Sequence, residues 1–317
     1  MSDAPRVDPA LPLAPPQAHE TGLALLRERL GHIYQAISGT DLLRTQSLPY
    51  SALHLRARLD LALGYYERRM AAMIMWLHCS LEDANFTYDL TERNRRHLAH
   101  LVSVVVGCPA VQVSGYLREL QTDDALRAHY AREIPRYGRL AQLESRLQVG
   151  RRAGWYAVVR AIKPKVVIET GVERGHGAIT LAAALLRNRA EGFPGRYYGT
   201  EINPAAGKLL SGVYAEVGEI IYGDSATTLA AFNQPIDVFV NDSDHSADYE
   251  AREYRIVDSK MSPGGVILSD NAHATDSLLD FAEATGRQYL FFREEPKDHW
   301  YPGAGIGFAF RPGSRSR

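Results

Sequence analysis

The chain has 317 residues, a formal net charge of -1 and 45% hydrophobic residues, enough for one large domain or two smaller ones. The near-neutral charge argues against a protein that mainly coats nucleic acid, because phosphate binding needs a strongly positive surface. We therefore expect a small-molecule partner and no nucleic acid. No apolar run reaches the length of a membrane span and no signal-peptide pattern is present, which predicts no membrane contact and a cytoplasmic location.

The cysteine content excludes some classes of protein. Cys79 and Cys108 are the two cysteines, and they lie far apart in no spacing typical of a metal site. A disulfide scaffold and a zinc site are both disfavoured on this ground. We expect both residues to be reduced thiols in the core.

The first half of the chain is predicted to be helical. Residues 1–18 are rich in Pro and Ala and have no periodic apolar pattern, which predicts a disordered tail. From 19 to about 160, apolar residues recur at helical spacing, with helices expected at about 110–120 and 124–134. A substrate lid, an oligomer interface and a simple extension all fit this region. We expect a homo-oligomer that forms through these helices.

Two features of the helical region allow more specific predictions. Asp89 and Glu92 have the spacing of a capping pair, ahead of a helix expected to end at Gly107. The basic residues of the region are expected on a solvated helix surface, with an anion-binding face as the alternative. These basic residues are Arg93, Arg95, Arg96, His97, Arg146, Arg151 and Arg152.

After residue 160 the pattern changes to short β-rich runs that alternate with helices, which predicts a parallel sheet with right-handed crossovers. The predicted strands are Val166–Glu169, Tyr197–Glu201, Glu219–Tyr222, Ile236–Val240, Val266–Ser269, Tyr289–Arg293 and Ile306–Phe310. The predicted helices lie at about 176–189, 204–215, 225–231 and 246–260. The last two strands are joined by a loop too polar for a crossover helix, so we expect an antiparallel hairpin at the sheet edge.

The predicted fold class is therefore α/β. It comprises a Rossmann-like, doubly wound, mostly parallel seven-stranded sheet with a C-terminal antiparallel hairpin, after an all-helical N-terminal region. We expect this sheet domain to occupy residues 161–317 and the helical region residues 19–160.

One stretch, KVVIETGVERGHG, has the pattern of a strand, a tight turn and a helix start. Its glycines, Gly171, Gly175 and Gly177, allow positive φ and close approach of a ligand to the backbone. A dinucleotide-binding loop would have the order G-x-G-x-x-G, which differs from the order found here. Glu169 at the strand end would also oppose a pyrophosphate, whereas it suits a cationic group. A nicotinamide-dependent oxidoreductase is therefore disfavoured.

The stretch resembles the first motif of class I S-adenosylmethionine-dependent methyltransferases, and the resemblance extends over about residues 160–311. S-adenosylmethionine has an amino group and a sulfonium and lacks phosphate, in agreement with an acid at the strand end. The resemblance implies that Glu201, in YYGTEINP, holds the ribose hydroxyls and that Asp224 with Ser225, in IIYGDSATTL, contacts the adenine. Helix capping is the alternative for each acid. The expected cofactor-binding residues are Glu169, Gly171, Gly175, Gly177, Glu201, Asp224, Ser225 and Asp242.

A second group of polar residues follows the fourth and fifth strands, in IDVFVNDSDHSADY and GGVILSDNAH. Ligands of doubly wound sheets bind at the carboxyl ends of the strands, so Asp242, Asp244, His245, Asp270 and Asn271 are expected to converge on the cofactor's methyl group. Two carboxylates and one carboxamide suit a hard divalent cation such as magnesium.

The set Asp242, Asp270 and Asn271 resembles the metal triad of the cation-dependent small-molecule O-methyltransferases, the catechol and caffeoyl-CoA type. The run DSDHS followed by a PGG-V strand also resembles the methyltransferases of the macrocin and cephalosporin-biosynthesis type. In the catechol family a lysine three residues after the first metal aspartate acts as the base, and His245 stands at that position here. An imidazole, with an unperturbed pKa of about 6.5, suits that role.

The predicted function is metal-assisted O-methylation of a small hydroxylated acceptor, such as a sugar or a secondary metabolite, with Asp242 and His245 catalytic. A metal-independent N- or O-methyltransferase and a non-catalytic cofactor-binding partner protein are the alternatives. Purely structural roles also stay open at this point. Asp242 could cap the next helix, Asp270 and Asn271 could form a turn, and His245 could bond a backbone carbonyl.

Overall fold

The computed structural model describes residues 52–80, 87–138 and 146–313, together with positions 28, 31, 32 and 35. The predicted tail, residues 1–18, and the side chain of Cys79 lie outside this described part. The chain divides into two compact units, Met1–Tyr66 and Glu67–Arg317. The candidate site belongs wholly to the second unit.

Helices and strands alternate through most of the described chain. The helices are α1 (Ala52–Cys79), α2 (Glu92–Val106), α3 (Ala110–Gln121), α4 (Asp124–Glu133), α5 (Arg152–Ile162), α6 (His176–Ala190), α7 (Ser225–Ala231), α8 (Ala247–Asp258) and α9 (Ser277–Ala284). The strands are β1 (Val166–Thr170), β2 (Arg196–Glu201), β3 (Gly218–Tyr222), β4 (Ile236–Asn241), β5 (Met261–Ser269), β6 (Gln288–Arg293) and β7 (Gly305–Phe310). Short 3-10 helices span Ile134–Tyr137 and Gly212–Glu216.

The seven strands form one sheet in the order β3-β2-β1-β4-β5-β7-β6. Strands β1 to β5 pair in parallel, and β7 lies antiparallel between β5 and β6. This arrangement confirms the predicted fold class and the antiparallel hairpin at the sheet edge. The strand order reverses between β1 and β4, and a fold of this kind binds its ligands in the crevice at the carboxyl ends of such strands.

Both faces of the sheet are buried, because helices cover each of them. Successive side chains of a strand point to opposite faces. In β1, Val167 belongs to the cluster that contains Trp155 of α5, while Ile168 belongs to the cluster that contains Tyr254 of α8. All five residues of β1 are buried, as expected for the central strand of a parallel sheet.

The helix predicted at about 204–215 is wrong. The segment forms turns that end in the short 3-10 helix Gly212–Glu216. Gly207 has a φ of +75°, which lies in the left-handed region and interrupts a right-handed helix. Conversely, the structure contains a helix that was not predicted, α9, whose Leu278 is buried against the sheet.

The start of α2 also differs from the prediction, whereas its end beside Gly107 is confirmed. Thr91 caps the helix, and its hydroxyl accepts from the backbone N–H of Asn94 at 3.2 Å. Asp89 instead accepts a hydrogen bond from the exposed Arg146 at 3.0 Å. Thr91, directly before the first helical residue, accepts from a backbone N–H of the first turn, so the predicted capping pair of Asp89 and Glu92 is not needed.

Two further expectations concern burial and membranes. Cys108 forms no disulfide within the described part of the chain, but it is only partly buried, because it stands in the turn that follows α2. Among the described residues, no helix is both long enough and apolar enough to cross a membrane.

Candidate functional site

A cavity of about 980 Å³ lies at the carboxyl ends of the strands, where the strand order reverses. Its volume is that of a typical small-molecule site. The walls include nearly every residue that the sequence analysis selected, namely Glu169, Gly171, Gly177, Glu201, Asp224, Ser225, Asp242, Asp244, His245, Asp270 and Asn271. Gly175 belongs to the same glycine loop but is not one of the lining residues.

The parallel hydrogen-bond ladder continues past the strands and positions the acidic residues. The N–H of Asp242 donates to the carbonyl of Thr170 at 2.9 Å, and the N–H of Asp270 donates to the carbonyl of Asn241 at 2.8 Å. Both aspartates are therefore fixed by their backbones at the same edge of the sheet. Their convergence follows from the register of β1, β4 and β5.

The glycine loop packs directly against the neighbouring strand end. Gly171 has a φ of +80°, and a Cβ added there would lie 2.0 Å from the backbone oxygen of Asp242. A Cβ at Gly177 would lie 1.8 Å from Oε1 of Glu169. Larger residues at either position would push into the cavity wall, so the sequence pattern reflects a real spatial limit.

Glu169 lies at the bottom of the cavity and is 1% exposed. The hydroxyl of Tyr197 donates to its Oε2. Burial raises the pKa of Glu169 to about 8, against the opposing effect of the Tyr197 hydrogen bond. The group therefore holds a proton near neutral pH until a cation comes close to it.

The other two acids predicted to bind the cofactor differ in their local roles. Glu201 accepts from the backbone N–H groups of Val172 at 3.1 Å and Glu173 at 2.8 Å, so it ties β2 to the glycine loop. Asp224 accepts from the N–H of Thr227 at 2.9 Å and caps α7, as the structural alternative proposed. Both still line the cavity.

His245 lies between acidic groups and an amide. Its Nε2 is 3.6 Å from Oδ1 of Asp242 and 3.0 Å from Nδ2 of Asn271, and its Nδ1 is 3.4 Å from Oε1 of Glu250. Burial opposes the charged ring, but the contacts with Asp242 and Glu250 outweigh it and raise the pKa of His245 to about 10. Burial and the charge of Asp270 raise the pKa of Asp242 to about 7.

Asp270 is fully buried and forms a two-point ion pair with Arg151. Nε of Arg151 donates to Oδ1, and Nη2 donates to Oδ2 at 2.6 Å. Burial disfavours the carboxylate, but the guanidinium outweighs it and lowers the pKa of Asp270. Arg151 and Arg152 are only 4% and 7% exposed, so the predicted solvated surface is wrong for these two residues.

The residues present fit a divalent cation poorly. Ligand atoms of Asp242, His245 and Asp270 lie within 4.8 Å of one another, which is close enough to surround an ion. Both oxygens of Asp270 already accept from a guanidinium, however, and an ion bound there would meet a fixed positive charge. The magnesium site at Asp242, Asp270 and Asn271 stays a prediction from the sequence.

Sequence reasoning expected Arg151 on a solvated surface, and it did not select Glu253, a buried carboxylate of α8. Oε2 of Glu253 accepts from Thr170 at 2.9 Å, and Oε1 accepts from Ser243 at 3.0 Å. It thereby connects the ends of β1 and β4 beneath the cavity. The available signal was an acid four residues before Val257 on the inward face of an amphipathic helix.

Comparison with known proteins gives one family match and several weak structural likenesses. Residues 168–272 match a protein family described as a methyltransferase domain. The matched segment runs from β1 to just after β5, so it contains the glycine loop and the ends of β4 and β5. This match identifies residues 168–272 as a methyltransferase domain, and the resemblance to methyltransferases noted from the sequence is confirmed for this segment.

Several solved structures resemble the chain weakly. Cofactor-bound Rv0187 from MTB is 20% identical over 67% of this chain and 94% of its own, with a TM-score of 0.43. The O-methyltransferase TomG from Streptomyces achromogenes, in complex with S-adenosylmethionine, is 16% identical over 60% of this chain and 91% of its own, with a TM-score of 0.43. No curated protein sequence matches the chain.

Proposed function

We propose that the protein transfers the methyl group of S-adenosylmethionine to a hydroxyl of a small acceptor, such as a sugar or a secondary metabolite. The observation that carries this proposal is the position of His245, Asp242 and Asn271 on the wall of the cavity that the glycine loop also lines. A proton acceptor and the cofactor loop share one cavity, as methyl transfer to oxygen requires.

The residues of the chain bind the cofactor, orient the groups that react and remove a proton from the acceptor. The cofactor, when bound, supplies a methyl carbon made electrophilic by the sulfonium. Gly171 and Gly177 leave room for it beside the loop, and Glu201 presents a carboxylate fixed by backbone donors. His245 then takes the proton of the acceptor hydroxyl, with its ring oriented by Glu250 at 3.4 Å.

A pH profile tests the role of His245. With its pKa raised to about 10, most of the imidazole is protonated at pH 7 and cannot accept a proton. We expect kcat to rise with pH, by up to about tenfold per unit, and to level off near pH 10. His245→Asn should lower kcat by roughly 10²–10⁴-fold and remove the dependence. A profile that is flat between pH 7 and pH 10 in the wild type would exclude a base with a pKa near 10, and a rate that is unchanged in His245→Asn would exclude His245 as the base.

The Arg151–Asp270 pair favours a metal-free reaction over the metal-assisted one that the sequence predicted. We expect excess chelator to leave the initial rate of methyl transfer unchanged within about twofold. If the protein loses activity in excess chelator and regains it with added magnesium, the result supports the metal-assisted alternative instead.

The protonated state of Glu169 predicts a pH-dependent affinity for the cofactor. A cation bound near Glu169 favours its carboxylate, so binding should release a proton at pH values below about 8, the pKa of Glu169 in the free protein. We expect the affinity for S-adenosylmethionine to rise with pH up to about 8 and then to level off. Calorimetry in buffers of different ionisation enthalpy measures the proton release. Glu169→Gln should show neither effect, and an identical pH dependence in this variant would assign it to another group.

Two other predictions from the sequence remain predictions. A non-catalytic cofactor-binding protein would bind S-adenosylmethionine but methylate no acceptor. The homo-oligomer expected through the N-terminal helices would bury apolar side chains, and α1 exposes several of them, including Leu61, Tyr66, Met75 and Leu77. Sedimentation velocity measures the oligomeric state directly.

A further inference from the structure

We infer that Arg151 supplies, from within the chain, the positive charge that a divalent cation would supply to Asp270, and that its presence excludes a metal from the site. This inference rests on the proposed function only in placing the reaction in this cavity. Arg151 acts on the cavity through Asp270, because it holds both carboxylate oxygens of that residue. It stands directly before α5 and lines the cavity.

The contact with Asp270 has the geometry of a specific recognition rather than of a chance surface pair. Two nitrogens of the planar guanidinium meet the two carboxylate oxygens, the arrangement that arginine and carboxylate form most strongly. The side chains of Arg151 and Asp270 are 5% and 0% exposed, so solvent screens this pair little.

The guanidinium is also held on the side that faces away from Asp270. Its Nη1 lies 3.4 Å from the hydroxyl of Tyr88, and that hydroxyl donates to Oε2 of Glu294 at 3.0 Å. Tyr88 and Glu294 are 1% and 2% exposed. Arg151 is therefore held between the carboxylate of Asp270 and the hydroxyl of Tyr88, and it would have to leave both to make room for an ion.

A metal at Asp270 would face two costs. The ion would lie next to a fixed guanidinium, and like charges at contact distance repel strongly where water is scarce. Displacing the guanidinium would instead leave a buried charge without its partner, which is strongly unfavourable. Asp242 and, once deprotonated, His245 place further ligand atoms nearby, so the guanidinium is the barrier to a metal at Asp270 itself.

Binding of manganese alone, followed by electron paramagnetic resonance, tests the inference without any activity assay. The wild type should not bind Mn²⁺ in the cavity. Arg151→Met should bind it at least about tenfold more tightly, because contact between unit charges is strong enough to shift an equilibrium by more than that. Arg152→Met is the matched control, since it removes the same charge from the next residue on the same wall but leaves the Asp270 pair intact. It should behave as the wild type does.

A double variant separates the site from the fold. Arg151→Met with Asp270→Asn removes both charges and should lose the Mn²⁺ binding gained by the single variant. Should Arg151→Met fail to fold, Arg151→Gln keeps an uncharged NH2 donor group at this position and serves the same comparison.

The inference is overturned if the wild type binds Mn²⁺ in this cavity, or if a folded Arg151 variant gains no affinity over the Arg152→Met control. Folding is checked by circular dichroism. Binding of S-adenosylmethionine is measured in the same samples. If the proposed function is wrong, the wild type will not bind the cofactor, and this outcome is distinct from both Mn²⁺ results.

Discussion

Asp270→Ala is expected to lower the free energy of unfolding by about 3–5 kcal/mol, the usual cost of removing one partner from a buried ion pair. The reason is that the guanidinium of Arg151 would stay buried among Tyr88 and Glu294 without the carboxylate that both of its donors meet. Urea unfolding followed by circular dichroism measures the change, with the slope of the transition compared between variants.

Two controls define what this result means. Asp280→Ala removes an exposed carboxylate from α9 and should change the free energy of unfolding by no more than about 0.5 kcal/mol. Arg151→Met with Asp270→Asn removes both charges and should recover much of the lost stability, since uncharged replacements of a buried pair are often tolerated. If Asp270→Ala proved as mild as Asp280→Ala, the buried pair would not exist in solution.

Gly171→Ala is expected to abolish measurable binding of S-adenosylmethionine and to destabilise the fold. The left-handed backbone at this position costs a non-glycine residue roughly 1–2 kcal/mol, and crowding the packed wall adds about 1–3 kcal/mol. The new Cβ would lie 2.0 Å from the backbone oxygen of Asp242, which cannot move without shifting β4. Calorimetric titration measures the binding, and urea unfolding measures the stability.

Gly192→Ala is the matched control for this variant. Gly192 also has a positive φ, +89°, but nothing lies within 4 Å of a Cβ placed there. It carries the backbone strain without the clash, so its effect should stay near 1–2 kcal/mol with cofactor binding intact. Equal losses in the two variants would show that strain alone, and not the close approach to Asp242, explains the requirement for glycine.

The sheet could be predicted from the sequence because its signals are local. Apolar runs such as Val166 to Ile168 end in polar residues, and the alternation with helices sets a parallel order. The rule that ligands bind at strand ends then placed Asp242 and Asp270 in one cavity, as the backbone ladder shows. The polar loop before β7 was sufficient to predict the antiparallel edge.

The charges of the site could not be predicted in the same way. Arg151 stands in a basic run that reads like a solvated helix face, and its burial depends on contacts with Tyr88 and Asp270, which are 63 and 119 residues away. The raised pKa of His245 likewise depends on its contacts with Asp242 and with Glu250, a buried acid that no sequence pattern singles out. A sequence pattern identifies groups that can react, whereas tertiary contacts set their protonation and their partners.

The most direct test of the proposed function uses S-adenosylmethionine carrying a labelled methyl group, with a panel of small hydroxylated acceptors and excess chelator present. The proposal predicts that the wild type transfers label to a hydroxyl oxygen of at least one acceptor, and that His245→Asn retains cofactor binding but loses roughly 10²–10⁴-fold in rate. Binding of S-adenosylmethionine without transfer to any acceptor, or transfer that persists unchanged in His245→Asn, would contradict it.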